Sequence, residues 1–263
     1  MTTPQVTVLG AGVMGTAIAA LATGHGLDVV LVDVEQAALD AARTEVPRQR
    51  RLAQLMGALT PEHVGDLTTT RELAAAAGTG VVIEAVTELP EVKAKVLAEV
   101  SAAAGPDALI VSNTSAIPID ELAGSVEHPE RVVGIHFMNP PYLIRTVELI
   151  RGPRSAESAV RRAAELLATL GREPVVVGDG PGFVINRILQ RMINEASRIV
   201  DEGLATPEAV DAVFTGCLGH RSGPLTTGDL IGLDNVVDSL RVLQERTGDA
   251  GYAPSDLLLR KVA

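Results

Sequence analysis

The sequence predicts an α/β fold with a doubly wound, mostly parallel sheet, followed by a smaller all-α domain. Two observations lead to this prediction. Through residues 1–178, short apolar runs alternate with helical patterns, as they do in successive βαβ units. From Asp179-Gly180-Pro181-Gly182 onward no strand-like run follows, and apolar residues recur at helical spacing. We therefore expect one domain over residues 1–178 and a helical domain over residues 179–263.

The first βαβ unit carries a glycine-rich turn, Gly10-Ala11-Gly12-Val13-Met14-Gly15, between an apolar run and a helical pattern. In a dinucleotide-binding unit the three glycines have separate tasks. The first makes a tight turn, the second lets the backbone approach the pyrophosphate, and the third lets the helix pack on the sheet. Asp33 ends the next apolar run, where a carboxylate accepts hydrogen bonds from ribose hydroxyls and repels a 2′-phosphate. The pattern predicts a Rossmann-type domain that binds NAD through these residues.

Composition excludes several other classes of protein. The 263 residues are 46% hydrophobic and carry a net charge of -11, so the basic face that binds nucleic acid is not expected. No stretch reaches the roughly 20 uninterrupted apolar residues of a membrane-spanning helix, which predicts a soluble protein. The single cysteine, Cys217, has no partner for a disulfide or a metal site. We therefore expect a cytoplasmic protein without a bound metal.

Polar residues follow two further apolar runs of the first domain. Glu88 comes after the run Gly80 to Val86, and Ser112-Asn113-Thr114-Ser115 ends the run that begins at Ala108. Ligands of doubly wound sheets bind outside the carboxyl ends of the strands, so these side chains are candidate ligand contacts. The alternative is that a serine or threonine here caps the following helix.

A histidine and a glutamate stand in two consecutive apolar runs. His136 lies near the end of the run Val132 to Phe137, and Glu148 lies within the run Thr146 to Ile150. A histidine on an apolar strand is usually a hydrogen-bonded core residue, but a neighbouring carboxylate would fix its tautomer and stabilise its protonated form. Beside a dinucleotide site, this pair predicts a general base. The remaining histidines are expected at the surface or in turns: His25, His63, His128 and His220.

Two stretches outside this site invite interpretation. The polar helical segment Val34 to Met56, which we expect Pro47 to interrupt, contains Arg48-Gln49-Arg50-Arg51. This run reads either as a solvated helix face or as a basic patch for the phosphates of a CoA or carrier-protein arm. In the second domain we predict helices at 183–202, 207–216, 225–237 and 239–247. Their apolar stripes exceed the need of one small bundle, which predicts a homodimer through the helical domain.

Taken together, the motifs resemble those of the 3-hydroxyacyl-CoA dehydrogenase family, including 3-hydroxybutyryl-CoA dehydrogenases. The resemblance covers both predicted domains, and its motifs occur in the family's order. They are Gly10 to Gly15, Ile83-Glu84-Ala85-Val86 with Glu88 and Lys93, Ser112-Asn113-Thr114-Ser115, His136-Phe137-Met138-Asn139-Pro140-Pro141, Val147-Glu148, Pro181-Gly182-Phe183 with Asn186-Arg187, and Gly223-Pro224 with Asp229-Leu230-Ile231-Gly232-Leu233-Asp234.

The resemblance implies NAD-dependent oxidation of a CoA-linked 3-hydroxyacyl thioester to the 3-oxoacyl thioester, or the reverse. By motif position, His136 matches the general base and Glu148 its orienting carboxylate. Ser115 and Asn186 match residues that position the substrate oxygen. Ser115 also belongs to the residues that match the cofactor site, together with Glu88, Lys93 and Asn139.

Departures from the family pattern keep a second substrate open. The segment from Val34 to Thr70 looks shorter than the family's two-helix excursion, and a more polar stretch, Cys217 to Pro224, precedes the second domain's Gly-Pro. His220 and Arg221 in that stretch would suit a polar or anionic acyl group. The alternative is therefore the same chemistry on a hydroxyacyl unit bound to an acyl carrier protein, as in polyketide biosynthesis of hydroxymalonyl or methoxymalonyl extenders.

Two weaker readings share the dinucleotide fingerprint. β-Hydroxyacid dehydrogenases of the 3-hydroxyisobutyrate type use a lysine on the long helix between their domains. Between Pro181 and Glu202 this chain has arginines and no lysine, which argues against that class. A non-catalytic NAD-binding or structural relative is the other alternative, and the presence of both His136 and Glu148 argues against it.

Overall fold

The computed structural model of the chain describes residues 5–60 and 64–263. It divides into two compact units, Met1–Asp179 and Gly180–Ala263. Within the described residues, no helix combines the length and the apolar character needed to span a membrane.

The first unit is built on one eight-stranded sheet with the strand order β3-β2-β1-β4-β5-β6-β7-β8. All neighbouring strands pair in parallel except β6 and β7, which are antiparallel. This confirms the predicted doubly wound, mostly parallel sheet. The strands are β1 (Gln5–Leu9), β2 (Asp28–Val32), β3 (Leu67–Thr70), β4 (Val81–Glu84), β5 (Leu109–Ser112), β6 (Val132–His136), β7 (Thr146–Arg151) and β8 (Glu173–Gly178).

Helices cover the sheet, and their apolar faces explain why its strands read as continuous apolar runs. β5 and β6 are buried along their whole lengths, because a parallel strand between two helical layers has no solvent face. Each fully buried leucine, valine or isoleucine contributes about 1.5–3 kcal/mol to folding. The helices of this unit are α1 (Val13–Gly24), α2 (Gln36–Leu55), α3 (Pro90–Ala104), α4 (Ile119–Ala123) and α5 (Glu157–Thr169).

The expected interruption at Pro47 was wrong, because α2 runs as one 20-residue helix through this proline. A proline inside a helix removes one backbone hydrogen bond and crowds the preceding turn, at a cost of about 3 kcal/mol. Here the buried side chains Leu39 and Val46 precede Pro47, and Ala53 follows it on the same packed helix. Burial on both sides of the proline therefore keeps the two halves in one helix.

The second unit contains five α-helices among its described residues: α6 (Ile185–Asp201), α7 (Pro207–Leu218), α8 (Pro224–Ile231), α9 (Leu233–Thr247) and α10 (Asp256–Val262). The predicted division into 225–237 and 239–247 was wrong. The break falls at Gly232, whose φ of +93° ends α8, while α9 continues past residue 238. The buried side chains of Val237 and Leu240 lie on either side of that position, so packing carries the helix through it.

Candidate active site

The glycine-rich turn joins β1 to α1 and leaves no room for side chains at two of its positions. Gly10 has a φ of +95°, and a Cβ there would lie 2.6 Å from the carbonyl oxygen of Ala85. A Cβ on Gly15 would lie 1.8 Å from the carbonyl oxygen of Gly10. Only glycine therefore allows the turn to pass close to β4 and the helix to start directly above it.

The space above Gly12 is open. A Cβ built there meets no atom within 4 Å, and the first turn of α1 contains no acidic residue. The N–H groups at a helix N-terminus attract an anion, so this position fits the pyrophosphate of a dinucleotide. Of the neighbouring turn residues, Ala11 is buried, Val13 is exposed and Met14 packs partly against the core.

Asp33 follows the carboxyl end of β2 and is tied to the glycine-rich turn. Its Oδ2 accepts a hydrogen bond from the N–H of Ala11 at 2.6 Å, and its Oδ1 accepts one from the N–H of Glu35 at 2.9 Å. The carboxylate is half-buried beside the open space above Gly12. This arrangement fits the ribose of the same dinucleotide.

Glu88 and Ser115, from the ends of two neighbouring strands, are brought together. The Oε1 atom of Glu88 accepts hydrogen bonds from the Thr114 hydroxyl at 2.5 Å and from the N–H of Ser115 at 2.7 Å. Desolvation opposes the charged form of Glu88, but the Lys93 ammonium and these hydrogen bonds outweigh it and lower the carboxyl pKa below its ordinary value. Glu88 is therefore an anchored carboxylate.

Lys93 is 1% exposed, and its ammonium lies 2.7 Å from Oε1 of Glu84 and 3.1 Å from Oε2 of Glu88. Sequence reasoning overlooked Glu84 as a member of this site. The available signal was that Glu84 is the one charged residue within an otherwise apolar buried run. A buried charge needs a partner, and here the partner is a lysine one helix further along the chain.

His136 and Glu148 are direct neighbours across the antiparallel pair β6–β7. Nδ1 of His136 lies 2.8 Å from Oε2 of Glu148, and the two residues are 5% and 4% exposed. Residues directly opposite each other in an antiparallel pair present their side chains on the same face, which explains the contact. The antiparallel register of β6 and β7 thus places His136 beside Glu148, as expected from their positions in two consecutive apolar runs.

Two side chains hold the chain segment that follows His136. Oδ1 of Asn113 accepts a hydrogen bond from the N–H of Phe137 at 3.1 Å, at the end of β6. Arg172 is buried and donates to the carbonyl oxygens of Pro141 at 3.0 Å and Ile144 at 3.2 Å. Sequence reasoning gave Asn113 no such role and missed Arg172, because an arginine that binds backbone carbonyls leaves no pattern in the sequence.

Asn139 is exposed in this held segment, and the Asn139-Pro140 peptide bond is cis. Asn186 lies in the first turn of α6 in the second unit and is half-buried.

Among the residues that the structure describes, no group of three histidine, cysteine, aspartate or glutamate side chains could hold a metal ion.

The other described histidines lie outside this site. His128 is 3.2 Å from Glu130 at the surface, and His220 is exposed and packs edge-on against Phe214. His25 is the C-cap residue of α1, where burial lowers the pKa of its ring and favours the neutral form. His63 falls outside the described residues.

Two family models match nearly the whole chain. Residues 5–180 match the family model described as 3-hydroxyacyl-CoA dehydrogenase, NAD binding domain. Residues 182–263 match the model of the 3-hydroxyacyl-CoA dehydrogenase C-terminal domain. NAD is therefore the cofactor of this chain, as the glycine-rich turn and Asp33 predicted.

Individual relatives are similar along nearly their full lengths. A 3-hydroxybutyryl-CoA dehydrogenase of Bradyrhizobium diazoefficiens is 38% identical over 262 residues, which are 98% of this chain and 89% of that protein. One from Mycobacterium tuberculosis is 36% identical over 264 residues, covering 98% and 92%. The crystal structure of (S)-3-hydroxybutyryl-CoA dehydrogenase from Ralstonia eutropha matches with a TM-score of 0.91 and 35% identity, covering 99% of this chain and 94% of that one. The chain belongs to the 3-hydroxyacyl-CoA dehydrogenase family of NAD-dependent oxidoreductases.

Proposed function

We propose that the chain oxidises a CoA-linked 3-hydroxyacyl thioester at C3, or reduces the 3-oxo form, with 3-hydroxybutyryl-CoA as the first candidate substrate. The observation that carries this proposal is the buried pair of His136 and Glu148, 2.8 Å apart. The relatives that are named 3-hydroxybutyryl-CoA dehydrogenases, at 36–38% identity, support the choice of substrate.

In the oxidative direction the substrate loses a hydride from C3 and a proton from its 3-hydroxyl group. Bound NAD supplies the hydride acceptor, and Nε2 of His136 takes the proton as general base. The products are the 3-oxoacyl thioester, NADH and an imidazolium, which then returns its proton to solvent. Reduction follows the same steps in reverse, with the imidazolium as the acid.

Glu148 orients this base. When Nδ1 of His136 carries its proton toward Oε2 of Glu148, the lone pair lies on Nε2, which is the tautomer that the reaction needs. The buried carboxylate also offsets the positive charge that the ring gains on taking the substrate proton. An uncompensated buried imidazolium would be costly, so removing Glu148 would slow proton transfer.

The remaining assignments rest on motif position. We propose that Ser115 and Asn186 position the substrate oxygen and that Asn139 lies beside the nicotinamide. Glu88 and Lys93 are proposed to contact the cofactor. The hydrogen bond that Glu88 accepts from the N–H of Ser115 supports a shared role for Glu88 and Ser115.

Turnover of 3-hydroxybutyryl-CoA, followed by NADH absorbance, tests the reaction. Changing His136→Ala should lower kcat by about 10²-fold or more, because the general base is lost, and should leave the Kd for NADH unchanged. His128→Ala, at an exposed histidine that also contacts a glutamate, is the matched control and should retain activity. Unchanged kcat in His136→Ala would contradict the assignment of the base.

A carrier-bound hydroxyacyl unit is the second candidate substrate. Among the described residues, Arg48 pairs with Glu45 at 2.7 Å, whereas no described acidic side chain pairs with Arg50 or with the exposed Arg51. These two cations on α2 would suit the phosphate of either a CoA or a carrier-protein arm. Comparing kcat/KM for 3-hydroxybutyryl-CoA with that for the carrier-bound substrate distinguishes them. Equal or better turnover of the CoA form would exclude the carrier as the preferred handle.

We also propose that the protein is a homodimer through its helical unit and works in the cytoplasm. Val213, Leu218 and Leu230 on α7 and α8 are 57%, 62% and 79% exposed in the single chain. Large apolar side chains exposed at the surface of one small unit are candidates for a protein–protein contact. The single cysteine, Cys217, supports a reducing compartment.

A further inference from the structure

Asp179 caps a helix that is distant from it in the sequence. It directly follows β8, and each of its two carboxylate oxygens accepts a hydrogen bond from the start of α4. Oδ1 accepts from the N–H of Ile119 and Oδ2 from the N–H of Asp120, both at 2.8 Å. The first N–H groups of a helix have no partner within the helix, and Pro118, which precedes α4, supplies no side-chain cap. The half-buried carboxylate of Asp179 supplies both acceptors instead.

The capped helix lies against β6 and β7. The Ile119 side chain is fully buried and fills the space over two glycines. A Cβ on Gly134 would lie 2.7 Å from Cδ1 of Ile119, and one on Gly152 would lie 3.3 Å from its Cγ2. Gly134 stands two residues before His136 in β6, and residues two apart in a strand share a face of the sheet. The helix that Asp179 caps therefore packs on the face that carries the candidate base.

The chain between Ser115 and α4 is short and stiff. The hydroxyl oxygen of Thr114 accepts hydrogen bonds from the N–H groups of Ala116 at 3.4 Å and Ile117 at 3.0 Å. Pro118 follows, and its ring restricts the backbone φ of the last residue before the helix. We therefore expect a displacement of the start of α4 to be passed on to Ser115, because little slack separates the two.

We propose that Asp179 is a positioning residue of the dehydrogenase site, which holds Ser115 in place by capping α4. A helix cap needs only one acceptor, and the N-cap residue itself usually provides it. Here a carboxylate from another segment binds two N–H groups of the helix that follows Ser115. The inference rests on the proposed function in one respect, namely that Ser115 positions the substrate oxygen.

Hydrogen exchange of the full chain, followed by mass spectrometry, tests whether Asp179 holds the Ser115 loop. In Asp179→Ala we expect the N–H groups of residues 115–117 to exchange at least tenfold faster than in the wild type, because the loop opens more often once α4 is uncapped. Exchange in β1 should stay unchanged, which separates local loosening from global unfolding. Unchanged exchange at residues 115–117 would overturn the proposal.

A double-mutant cycle measures the consequence for the reaction. Its four proteins are the wild type, Asp179→Ala, Ser115→Ala and their combination, with kcat and KM for 3-hydroxybutyryl-CoA determined at saturating NAD. Asp179→Ala should lower kcat about tenfold with Ser115 present and less than twofold in the Ser115→Ala background. KM should change less than twofold, because we expect misplacement of Ser115 to weaken an interaction made mainly in the transition state. Multiplicative effects would show that Asp179 acts by another route and would overturn the proposal.

Asp179→Asn is a milder variant if the change to alanine prevents folding. Its amide keeps one acceptor oxygen for one of the two N–H groups, so kcat should fall only about threefold, and again only when Ser115 is present. Urea unfolding reports whether each variant is folded. An equal loss of kcat in the Ser115→Ala background would contradict the positioning role.

Asp28→Ala is the matched control. Asp28 also accepts a hydrogen bond from the backbone N–H of a later segment of the first unit, that of Asp66 at 2.9 Å. Its loss should leave kcat and the exchange of residues 115–117 unchanged. Equal effects of Asp28→Ala and Asp179→Ala would indicate a general loss of stability and would contradict a specific role of Asp179.

The exchange experiment separates this proposal from the proposed function, because it needs neither cofactor nor thioester. Absence of turnover by the wild type would overturn the substrate assignment, and exchange at residues 115–117 would still decide whether Asp179 holds the loop. Unchanged kcat in Ser115→Ala would overturn the role of Ser115 and with it the link from Asp179 to the reaction. Normal turnover by the wild type, with unchanged exchange in Asp179→Ala, would overturn the role of Asp179 alone.

Discussion

At the scale of single residues, the site depends on carboxylates whose partners are specific. Glu148 faces a histidine ring, Glu84 faces an ammonium, and Asp33 faces backbone N–H groups. We expect the carboxylate near the imidazole to support proton transfer, the one near the ammonium to hold structure, and the one near the dinucleotide turn to select the cofactor. The same functional group would thus take three roles, and its neighbours would determine which one.

Asp33 should decide the choice between NAD and NADP. Asp33→Asn should raise the KM for NAD about tenfold, because the variant loses a charged hydrogen-bond acceptor for the ribose. It should also lower the ratio of kcat/KM for NAD to kcat/KM for NADP, because the carboxylate that repels a 2′-phosphate is gone. Measuring kcat/KM with both cofactors checks this. Asp28→Asn is the control. Asp28 also accepts a hydrogen bond from a backbone N–H, but it lies at the first residue of β2, at the other end of the strand from Asp33. An undiminished preference for NAD in Asp33→Asn would contradict the role of this carboxylate.

At the scale of elements, arginines tie segments together through backbone carbonyls. Arg172, which precedes β8, holds the carbonyl oxygens of Pro141 and Ile144, and so holds the segment that contains Asn139. Arg162 on α5 does the same for the carbonyl oxygens of Asp107 and Gly80, just before β5 and β4. The hydrogen bonds of Arg172 lie in the candidate site, whereas those of Arg162 lie near the amino ends of β4 and β5, at the opposite edge of the sheet.

Arg172→Met should impair both stability and cofactor binding. The variant removes the donor to the carbonyl groups of Pro141, Ile144 and Leu170, which should cost about 1–3 kcal/mol of unfolding free energy. Because the freed segment carries Asn139, the Kd for NADH should rise as well. Urea unfolding and NADH titration measure the two effects. Arg162→Met should lower stability without changing the Kd, and equal changes in Kd for both variants would argue against a local role of Arg172.

In the second unit, Asp211 of α7 caps the start of α8. Its carboxylate accepts hydrogen bonds from the N–H groups of Leu225 at 2.9 Å and Thr226 at 2.8 Å. Desolvation opposes its charged form, but these bonds and the Thr226 hydroxyl prevail and lower its pKa below the ordinary value of 3.8. The ionised form therefore stabilises the folded state above pH 3.8, and this contribution is lost as the pH falls through the lower folded-state pKa.

Asp211→Ala should accordingly lower the unfolding free energy by about 1 kcal/mol at neutral pH, as loss of a helix cap does. The difference from the wild type should shrink as the pH falls below 3.8, since the wild-type carboxyl then becomes protonated. Thermal or urea unfolding between pH 7 and pH 2 measures this. Asp238→Ala, at an exposed aspartate paired with Arg241 one turn away, should show little change. A constant difference at all pH values would contradict the ionic cap.

At the scale of the whole molecule, an acidic chain binds an anionic cofactor by local means. The net charge of -11 would repel a dinucleotide at long range. The open backbone above Gly12, at the start of α1, offers N–H groups with no acidic side chain in the first helical turn. We therefore expect short-range hydrogen bonds and the helix dipole to carry phosphate binding, without any need for a basic surface.

The proposed dimer is tested by a charge in the apolar surface of the second unit. Leu230→Glu should convert a protein of twice the 27.4 kDa chain mass into a monomer, because a buried, unpaired carboxylate is costly at an interface. Light scattering after size-exclusion chromatography measures the mass. Leu55→Glu, at an equally exposed leucine of α2, should leave the dimer intact. A wild-type protein that is monomeric at micromolar concentration would refute the proposal.

Local patterns were enough to predict the sheet, the cofactor and the family. Glycine spacing, apolar runs and strand ends are short-range features, and each reports directly on a turn, a buried strand or a ligand position. The errors arose where packing outweighs local preference. Pro47 stays within α2, and Gly232, rather than a position near residue 238, separates α8 from α9.

The sequence alone thus determined the fold class, NAD as the cofactor, and a set of site residues whose roles stay predictions. The partners within the site depended on tertiary structure. The contact of His136 with Glu148 required the antiparallel register of two strands, and that of Glu84 with Lys93 required a helix packed over two strand ends. Such pairs join residues that no sequence period relates, because three-dimensional packing alone brings them within hydrogen-bond distance.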